Sequence, residues 1–353
     1  MKLVTILGAR PQFIKAGTFS RELSNHKKIE EVIVHTGQHF DENMSDVFFN
    51  QMLIPKPKYN LDINNQSHGA MTGKMLEEIE LILLKENPDW VIVYGDTNST
   101  LAGAIAATKL HIKIVHIEAG LRSFNMDMPE EINRILTDRI SSVLCCPTEI
   151  AVNNLISEGY NNIDCSIINT GDIMFEGAMF YKNIAKKPKL NIPESYSLCT
   201  IHRAENTNDI NRLKSIIEAL QTIGLENNIV IPIHPRTKQI IINNEIDVSN
   251  LILIDPVGYL EMVWLIDNSE LIITDSGGLQ KEAYFFDKYC ITLREETEWI
   301  ELVNGGFNSL VGVDKDLIIK TYNKFKSLVF KSNDEQFYGD GNTCNKIIKE
   351  LLK

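Results

Sequence analysis

Short apolar runs alternate with longer segments of helical periodicity along the whole chain. In the first half these runs lie near Leu3–Leu7, Glu31–His35, Trp90–Tyr94, Lys113–Ile117, Val143–Cys146 and Ser166–Asn169. In the second half they lie near Ser197–Ile201, Ile229–Ile233, Leu251–Ile254, Leu271–Thr274 and Cys290–Thr292. Such short, nearly continuous apolar runs are typical of parallel strands that helices cover on both faces. The pattern therefore predicts an α/β protein built from βαβ units with right-handed crossovers.

The length of the chain indicates more than one domain. Its 353 residues exceed what one ordinary hydrophobic core organises. A linker-like segment, 186–193, favours a boundary within Asn169–Ser197. We expect two Rossmann-like, doubly wound domains with a central cleft, the first spanning 1–170 and the second 171–340. The final helix, 341–352, is a candidate to pack back on the first domain.

Composition and charge narrow the class of protein. Hydrophobic residues make up 44% and charged residues 23% of the chain, as in globular proteins. No apolar run approaches the roughly 18 residues of a membrane-spanning helix, and the first strand lacks the features of a signal peptide. We therefore expect a cytoplasmic protein with no membrane partner. The net charge of −12 argues against nucleic acid as a partner, although a nucleotide ligand needs only a local pocket.

The cysteines and histidines give no sign of a metal site. The six cysteines form no C-x-x-C pair, and we expect them to be free thiols, most of them buried. The eight histidines show no spacing typical of metal ligands. The sequence therefore predicts neither a disulfide framework nor a bound metal.

Acidic residues follow two neighbouring strands of the first half. Asp96 comes directly after the strand that ends at Tyr94, and Glu118 follows the next strand. Glu130 opens the helix after them. In an open α/β sheet, ligands bind at the carboxyl ends of the strands. Three carboxylates converging on this edge point to proton transfer at a neutral carbon or oxygen centre.

A glycine-rich turn follows the strand that ends at Thr274. Ser276, Gly277 and Gly278 stand where that strand gives way to a helix. A helix start rich in glycine exposes backbone N–H groups and suits an anion such as a diphosphate. The alternative is a plain turn in which Ser276 caps the helix. Glu282 lies one to two turns further on, within reach of ribose hydroxyls.

Basic residues also cluster at strand ends. Arg10 and Lys15 follow the first strand, where they could pair with a phosphate or with the carboxylates; the alternative is solvated charge at a helix start. The turn is not G-x-G-x-x-G, so no dinucleotide cofactor is predicted. His202 follows a strand of the second half and could donate to a leaving phosphate oxygen, or it could be a capping or core histidine. His234 and Arg236 repeat the pattern after the next strand.

Six motifs in order resemble the non-hydrolysing UDP-N-acetylglucosamine 2-epimerases. The resemblance covers essentially the whole chain and rests on segments 8–15, 94–100, 116–122, 128–134, 202–206 and 274–278. It implies two Rossmann-like domains with the active site in the cleft, as in GT-B glycosyltransferases. It also implies an isomerase that needs no cofactor, takes a UDP-sugar as its substrate and is commonly a homodimer.

The resemblance further implies a mechanism and roles for individual residues. Such an enzyme eliminates UDP across C1–C2 of the sugar, forms an enzyme-bound glycal and adds UDP back with the proton on the other face. By motif match, Asp96, Glu118 and Glu130 are the acid–base set, and His202 stabilises or protonates the departing phosphate. The remaining residues implied to bind the substrate are Arg10, Lys15, His234, Arg236, Ser276, Gly277, Gly278 and Glu282.

Departures from the common family pattern indicate a sub-branch. They are Ala9, Gln12, Ala204, Lys281 and the segments 255–262 and 297–303. This sub-branch is similar to enzymes that convert UDP-2,3-diacetamido-2,3-dideoxyglucuronate to the mannuronate epimer for O-antigen, a lipopolysaccharide component. The substrate is thus that uronate or UDP-N-acetylglucosamine.

Alternative functions are a GT-B glycosyltransferase, a hydrolysing 2-epimerase and a non-catalytic sugar-nucleotide sensor.

Overall fold

The chain forms two compact α/β units. The computed structural model describes residues 1–38, 49, 52–331 and 336–353. Unit 1 comprises Met1–Gly177 together with Gln336–Lys353, and unit 2 comprises Ala178–Glu335. Each unit contains its own parallel sheet and its own hydrophobic core.

In unit 1, the described residues form a seven-stranded parallel sheet. Its strands are β1 (Lys2–Leu7), β2 (Glu30–His35), β3 (Tyr59–Asn60), β4 (Trp90–Tyr94), β5 (Lys113–Ile117), β6 (Val143–Cys146) and β7 (Ser166–Asn169). The spatial order is β3-β2-β1-β4-β5-β6-β7. The winding direction reverses between β1 and β4, so the turns after these two strands border the topological switch point where ligands bind in such sheets.

Helices of unit 1 cover the sheet. They include α1 (Arg10–Leu23), α2 (His68–Glu86), α3 (Asn98–Lys109), α4 (Pro129–Ile140), α5 (Glu149–Ser157) and α6 (Ile173–Lys182), the last of which continues into unit 2. Helix α3 packs closely on β1 because Gly103 faces Ile6: a Cβ at this glycine would lie 3.1 Å from the isoleucine side chain. Small residues on α3, such as Ala102 and Ala106, extend this close contact and are fully buried.

In unit 2, the described residues form a six-stranded parallel sheet. Its strands are β8 (Ser197–Thr200), β9 (Ile229–Pro232), β10 (Ile252–Ile254), β11 (Ile272–Thr274), β12 (Cys290–Thr292) and β13 (Asn308–Leu310). The helices are α7 (Ala204–Asn208), α8 (Ile210–Gly224), α9 (Pro235–Asn243), α10 (Tyr259–Asn268), α11 (Gly277–Phe285), α12 (Ile300–Asn304) and α13 (Lys315–Lys326). The order β10-β9-β8-β11-β12-β13 places the switch point between β8 and β11.

The chain returns to unit 1 through its final helix, α14 (Thr343–Leu351). This helix packs against α1. The hydroxyl of Thr343 donates to the Thr170 carbonyl at 3.0 Å, and the backbone N–H of Cys344 donates to the Glu176 carboxylate at 2.9 Å. Hydrogen bonds therefore tie the start of α14 to the segment that follows β7.

The predicted fold class, two doubly wound parallel α/β units, is confirmed, and each predicted apolar run coincides with a strand. Two strands were missed, β3 and β13. The first contains only two residues. The second carries the buried polar Asn308, whose side chain is hydrogen-bonded to Thr292 and Gln280.

The six cysteines are free thiols, five of them buried. Across the described part of the chain, no helix is long and apolar enough to cross a membrane. The same residues contain no group of three or more His, Cys, Asp or Glu side chains arranged to hold a metal ion.

Candidate active site

Two charged side chains meet at the switch point of unit 1. The Lys15 ammonium, on α1, pairs with the Glu118 carboxylate, which follows β5; the two side chains are only 10% and 12% exposed. Gly95, with φ of 61°, lies beside them: a Cβ there would stand 3.1 Å from the Glu118 carboxylate. Glu118 itself has a φ of 74°, a conformation that non-glycine residues rarely adopt and that is often found at functional sites.

Asp96 is held from the neighbouring helix α4. The Arg134 guanidinium lies 2.5 Å from its carboxylate, and the Asn133 amide donates to its backbone carbonyl at 2.9 Å. Burial raises the pKa of Asp96 above its ordinary value, Arg134 opposes that shift, and the negative charge of Glu118 adds to it. The environment therefore favours a proton on Asp96 more than water does.

The two carboxylates thus have different electrostatic settings. Glu118 has an ammonium group in direct contact, whereas the pKa of Asp96 is raised by burial. Carboxyl groups whose environments differ in this way are the usual basis of an acid and a base within one site. The arrangement can hold one carboxylate ready to accept a proton and another ready to donate one.

The two adjacent glutamates of α4 differ in burial and in their hydrogen bonds. Glu131 is buried and accepts hydrogen bonds at 2.9 Å from the backbone N–H groups of Ser123 and Phe124, and at 3.0 Å from Arg134. It therefore holds the preceding loop in place. Glu130 is exposed in the first helical turn, where a carboxylate is favoured by the helix dipole.

Gln12 joins the turn after β1 to the turn after β4. Its side-chain oxygen accepts from the backbone N–H groups of Gly8 and Ala9 at 2.8 and 3.0 Å. Its amide nitrogen donates to the Tyr94 carbonyl at 2.7 Å and to the Thr100 hydroxyl at 3.0 Å. A glutamate would set a carboxylate oxygen against the Tyr94 carbonyl, so this family departure has a structural explanation. Arg10 lies half-buried in the same turn, at the start of α1.

In unit 2, the glycine turn opens helix α11. Ser276 is the N-cap, and its hydroxyl accepts from the Leu279 N–H at 3.5 Å. A Cβ at Gly278 would meet no atom within 4 Å, whereas one at Gly277 would lie 2.5 Å from the Glu298 carboxylate. Because the helix start is open at Gly278, an anion can approach its backbone closely.

A buried carboxylate, Asp275, organises the edge of unit 2. It accepts from the backbone N–H groups of His202 and Arg203 at 3.1 and 3.0 Å and from the Asn206 amide at 3.2 Å. It also lies 3.3 Å from Nδ1 of His202, whose side chain is 55% exposed. Asp275 therefore presents His202 to solvent at the same edge as the glycine turn.

The other candidate binding residues of unit 2 are His234 and Arg236 at the start of α9, and Glu282 on α11. His234 caps α9 by accepting from the Arg236 N–H at 3.3 Å, and both residues are exposed. The Arg236 guanidinium donates to the Asn208 side chain. Glu282 accepts from the Tyr259 hydroxyl at 3.3 Å. His234 thus caps a helix, a role that the sequence analysis considered for His202 but not for His234.

Sequence reasoning missed several residues that hold these groups. Arg134 and Asp275 lie inside recognised motifs, at positions 128–134 and 274–278, but only their neighbours were assigned roles. Membership of a recognised motif was the available signal. His116 shares that signal, because it opens the motif 116–122, whereas Asp138 lies outside the six motifs.

Comparisons with known proteins identify the family and the fold of the chain. A family model described as UDP-N-acetylglucosamine 2-epimerase matches residues 21–352. A UDP-2,3-diacetamido-2,3-dideoxy-D-glucuronate 2-epimerase of Pseudomonas aeruginosa is 52% identical, and the match covers 100% of both chains. A UDP-N-acetylglucosamine 2-epimerase homolog of Methanococcus maripaludis is 50% identical over 99% of each chain. The crystal structure of Methanocaldococcus jannaschii UDP-GlcNAc 2-epimerase with UDP-GlcNAc and UDP has a TM-score of 0.87 and 44% identity, covering 100% of this chain and 99% of that one.

The comparisons identify the chain as an isomerase, and its fold is the GT-B-like fold of the solved sugar-nucleotide epimerases. The chain belongs to the UDP-N-acetylglucosamine 2-epimerase family. The predicted family, the predicted sub-branch similarity and the predicted enzyme class are confirmed.

Proposed function

We propose that this protein is a non-hydrolysing 2-epimerase that interconverts UDP-2,3-diacetamido-2,3-dideoxyglucuronate and its mannuronate epimer. The observation that carries the choice of substrate is the 52% identity, over the full length of both chains, with a relative named for that activity. UDP-N-acetylglucosamine is the second candidate substrate, because a solved structure that is 44% identical holds it.

The reaction has a specific chemical requirement. The proton at C2 of the sugar has no neighbouring carbonyl, so it becomes acidic only as the C1–O bond breaks. A base removes this proton, the C–H electrons form the C1=C2 bond, and UDP leaves with the C1–O electrons. In the return step a UDP oxygen re-forms the bond to C1, and C2 receives a proton on its other face. The sequence is balanced without an oxidant or a cofactor, and it needs an acid or base on each face of C2.

Within this proposal, the carboxylates of unit 1 carry the proton transfers. Glu118 acts as the base, and this role is supported by its contact with the Lys15 ammonium. Asp96 supplies the proton to the other face, and this role is supported by its raised pKa. In the reverse direction the two exchange roles. Glu130, exposed at the start of α4, is the third member of the set.

Groups of unit 2 bind the nucleotide in this proposal. The open helix start at Ser276, Gly277 and Gly278 holds the diphosphate, and His202 stabilises or protonates the departing phosphate oxygen. Glu282 binds the ribose. The further binding residues proposed are His234 and Arg236 of unit 2, together with Arg10 of unit 1. A homodimer and a cytoplasmic location belong to the same proposal and rest on the family resemblance.

The choice of substrate is tested by supplying each UDP-sugar separately to the purified protein. Epimer and free UDP are separated and quantified by anion-exchange chromatography. The proposal expects the diacetamido uronate to give the higher kcat/KM, with no accumulation of UDP. A higher kcat/KM for UDP-N-acetylglucosamine would reverse the order of the substrates. Accumulation of UDP with free sugar would identify a hydrolysing enzyme instead.

A further inference from the structure

A buried chain of charged groups lies behind the carboxylates of unit 1. His116, within β5, and Asp138, on α4, are fully buried. Nδ1 of His116 lies 2.7 Å from the Asp138 carboxylate, and Nε2 lies 2.7 Å from the Gly95 carbonyl. Two acceptors therefore face the two nitrogens of one ring. A ring that donates from both nitrogens is the imidazolium form.

Asp138 is correspondingly surrounded by donors. Besides His116, its carboxylate accepts from the Arg122 guanidinium at 2.7 Å and from the Gly120 backbone N–H at 3.2 Å. Arg122 in turn makes a bidentate pair with Glu158 at 2.7 and 2.8 Å. The carboxylates of Asp138 and Glu158 alternate along this hydrogen-bonded series with His116 and Arg122. The fully buried Asp138 carboxylate is thus paired and hydrogen-bonded, as burial requires.

The hydrogen bonds of His116 and Asp138 reach the two loops that carry the proposed acid and base. Gly95 immediately precedes Asp96, and Gly120 follows Glu118 by two residues. Asp138 therefore fixes one loop through His116 and the other through its own oxygen. Gly95 and Gly120 have φ values of 61° and 77°, which glycine adopts readily. Glu118 has a φ of 74°, and a non-glycine residue keeps such a conformation only where its surroundings over-determine it.

We propose that His116 and Asp138 are positioning residues for the epimerisation, and that they set the places of Asp96 and Glu118 together. The inference rests on the proposed function. Neither side chain need touch the sugar, because each acts through the backbone of a loop. Misplacement of a reacting group by about 1 Å costs on the order of 10²-fold in rate. Loss of the hydrogen bonds of His116 and Asp138 should therefore lower kcat and leave nucleotide binding unchanged.

Two variants and a matched control test the proposal. His116→Phe removes both hydrogen bonds while keeping a planar ring. Asp138→Asn removes the charge but can keep the chain connected: its amide donates to Nδ1 of a neutral His116, which still donates to Gly95. The control is Thr137→Val on the same helix, since the buried Thr137 hydroxyl has no hydrogen-bond partner among the described residues.

We expect kcat to fall by about 10²-fold in His116→Phe and by less in Asp138→Asn. KM should stay within about twofold of the wild type in both, and Thr137→Val should behave as the wild type. If His116→Phe does not fold, the same kcat and KM criteria apply to Asp138→Asn.

A wild-type kcat in a folded variant overturns the positioning role. So does an equal loss in Thr137→Val, because it would reflect general damage to α4. A wild-type protein that turns over neither UDP-sugar refutes the proposed function itself, and the inference falls with it.

Discussion

In both units, candidate site residues lie at the carboxyl ends of the strands of a parallel sheet, but the two units place different kinds of residue there. In unit 1, charged groups at the switch point are paired with each other and largely buried, as with Lys15 and Glu118. In unit 2, the switch point presents an exposed His202 and a glycine turn with open space beside Gly278. The first arrangement suits proton transfer, and the second suits binding of an anion.

Both edges contain a buried carboxylate that accepts hydrogen bonds from the backbone of the neighbouring loops. Asp275 accepts from two backbone N–H groups in unit 2, and Asp138 accepts from one while reaching a second loop through His116. Both carboxylates are fully buried. The comparison teaches that the loops at both edges are held by hydrogen bonds to a buried carboxylate. Only the side chains on these loops differ. The following predictions test whether unit 1 serves proton transfer and unit 2 serves anion binding.

The largest effect is expected from Glu118→Gln in unit 1. Removing the base should lower turnover by roughly 10³-fold, while UDP affinity measured by calorimetry stays within about twofold, because Glu118 is assigned no contact with the nucleotide. Glu78→Gln, an exposed change on α2 of the same unit, is the matched control. Near-normal turnover in Glu118→Gln would remove Glu118 from the acid–base set.

An intermediate effect is expected from Gly278→Ala in unit 2. The added Cβ meets no protein atom within 4 Å, and alanine favours a helix over glycine by up to about 1 kcal/mol, so the fold should be at least as stable. The methyl group should obstruct the diphosphate and weaken UDP binding by about tenfold, or about 1.4 kcal/mol. Gly73→Ala on α2, equally open, serves as the control. Unchanged UDP affinity would contradict an anion site at this turn.

The smallest effect is a pH dependence of stability at Asp96. Its pKa is raised by burial, so the folded state binds this proton more tightly than the unfolded state does. The resulting stabilisation is present at low pH and is lost as the pH rises through the raised pKa. Asp96→Asn should therefore gain Tm relative to the wild type as the pH is raised above about 4, the ordinary pKa of an aspartate. A Tm difference that is constant or shrinks over this range would contradict the raised pKa.

The strands and the strand-end residues were predictable because they depend on local patterns. Apolar runs located β1 and β4, and polar residues after them gave Arg10, Lys15 and Asp96. The pairing of Lys15 with Glu118 was left open, because 103 residues separate them and only the sheet order brings them together. The motif match assigned a role to Glu130 and none to Glu131. The burial of Glu131 was not predicted, since which of two adjacent helical residues is buried depends on the rotation of α4.

The buried chain of His116 and Asp138 was not predictable for a different reason. A single histidine inside an apolar strand gives no indication of its partner, and Asp138 lies 22 residues away on a helix. Only the packing of α4 beside β5 brings the two together. Membership of a motif marked His116 as notable but did not indicate that it holds the backbone of a neighbouring loop.

The most direct test of the account is proton NMR of the purified protein with its UDP-sugar in D2O. Removal of the C2 proton by a carboxylate and its return to the other face predict deuterium at C2 of the product, a manno signal and no accumulation of free UDP. Epimerisation with the original hydrogen fully retained at C2 and no exchange with solvent would contradict carboxylate-mediated proton transfer on two faces. Accumulation of UDP would contradict the non-hydrolysing reaction.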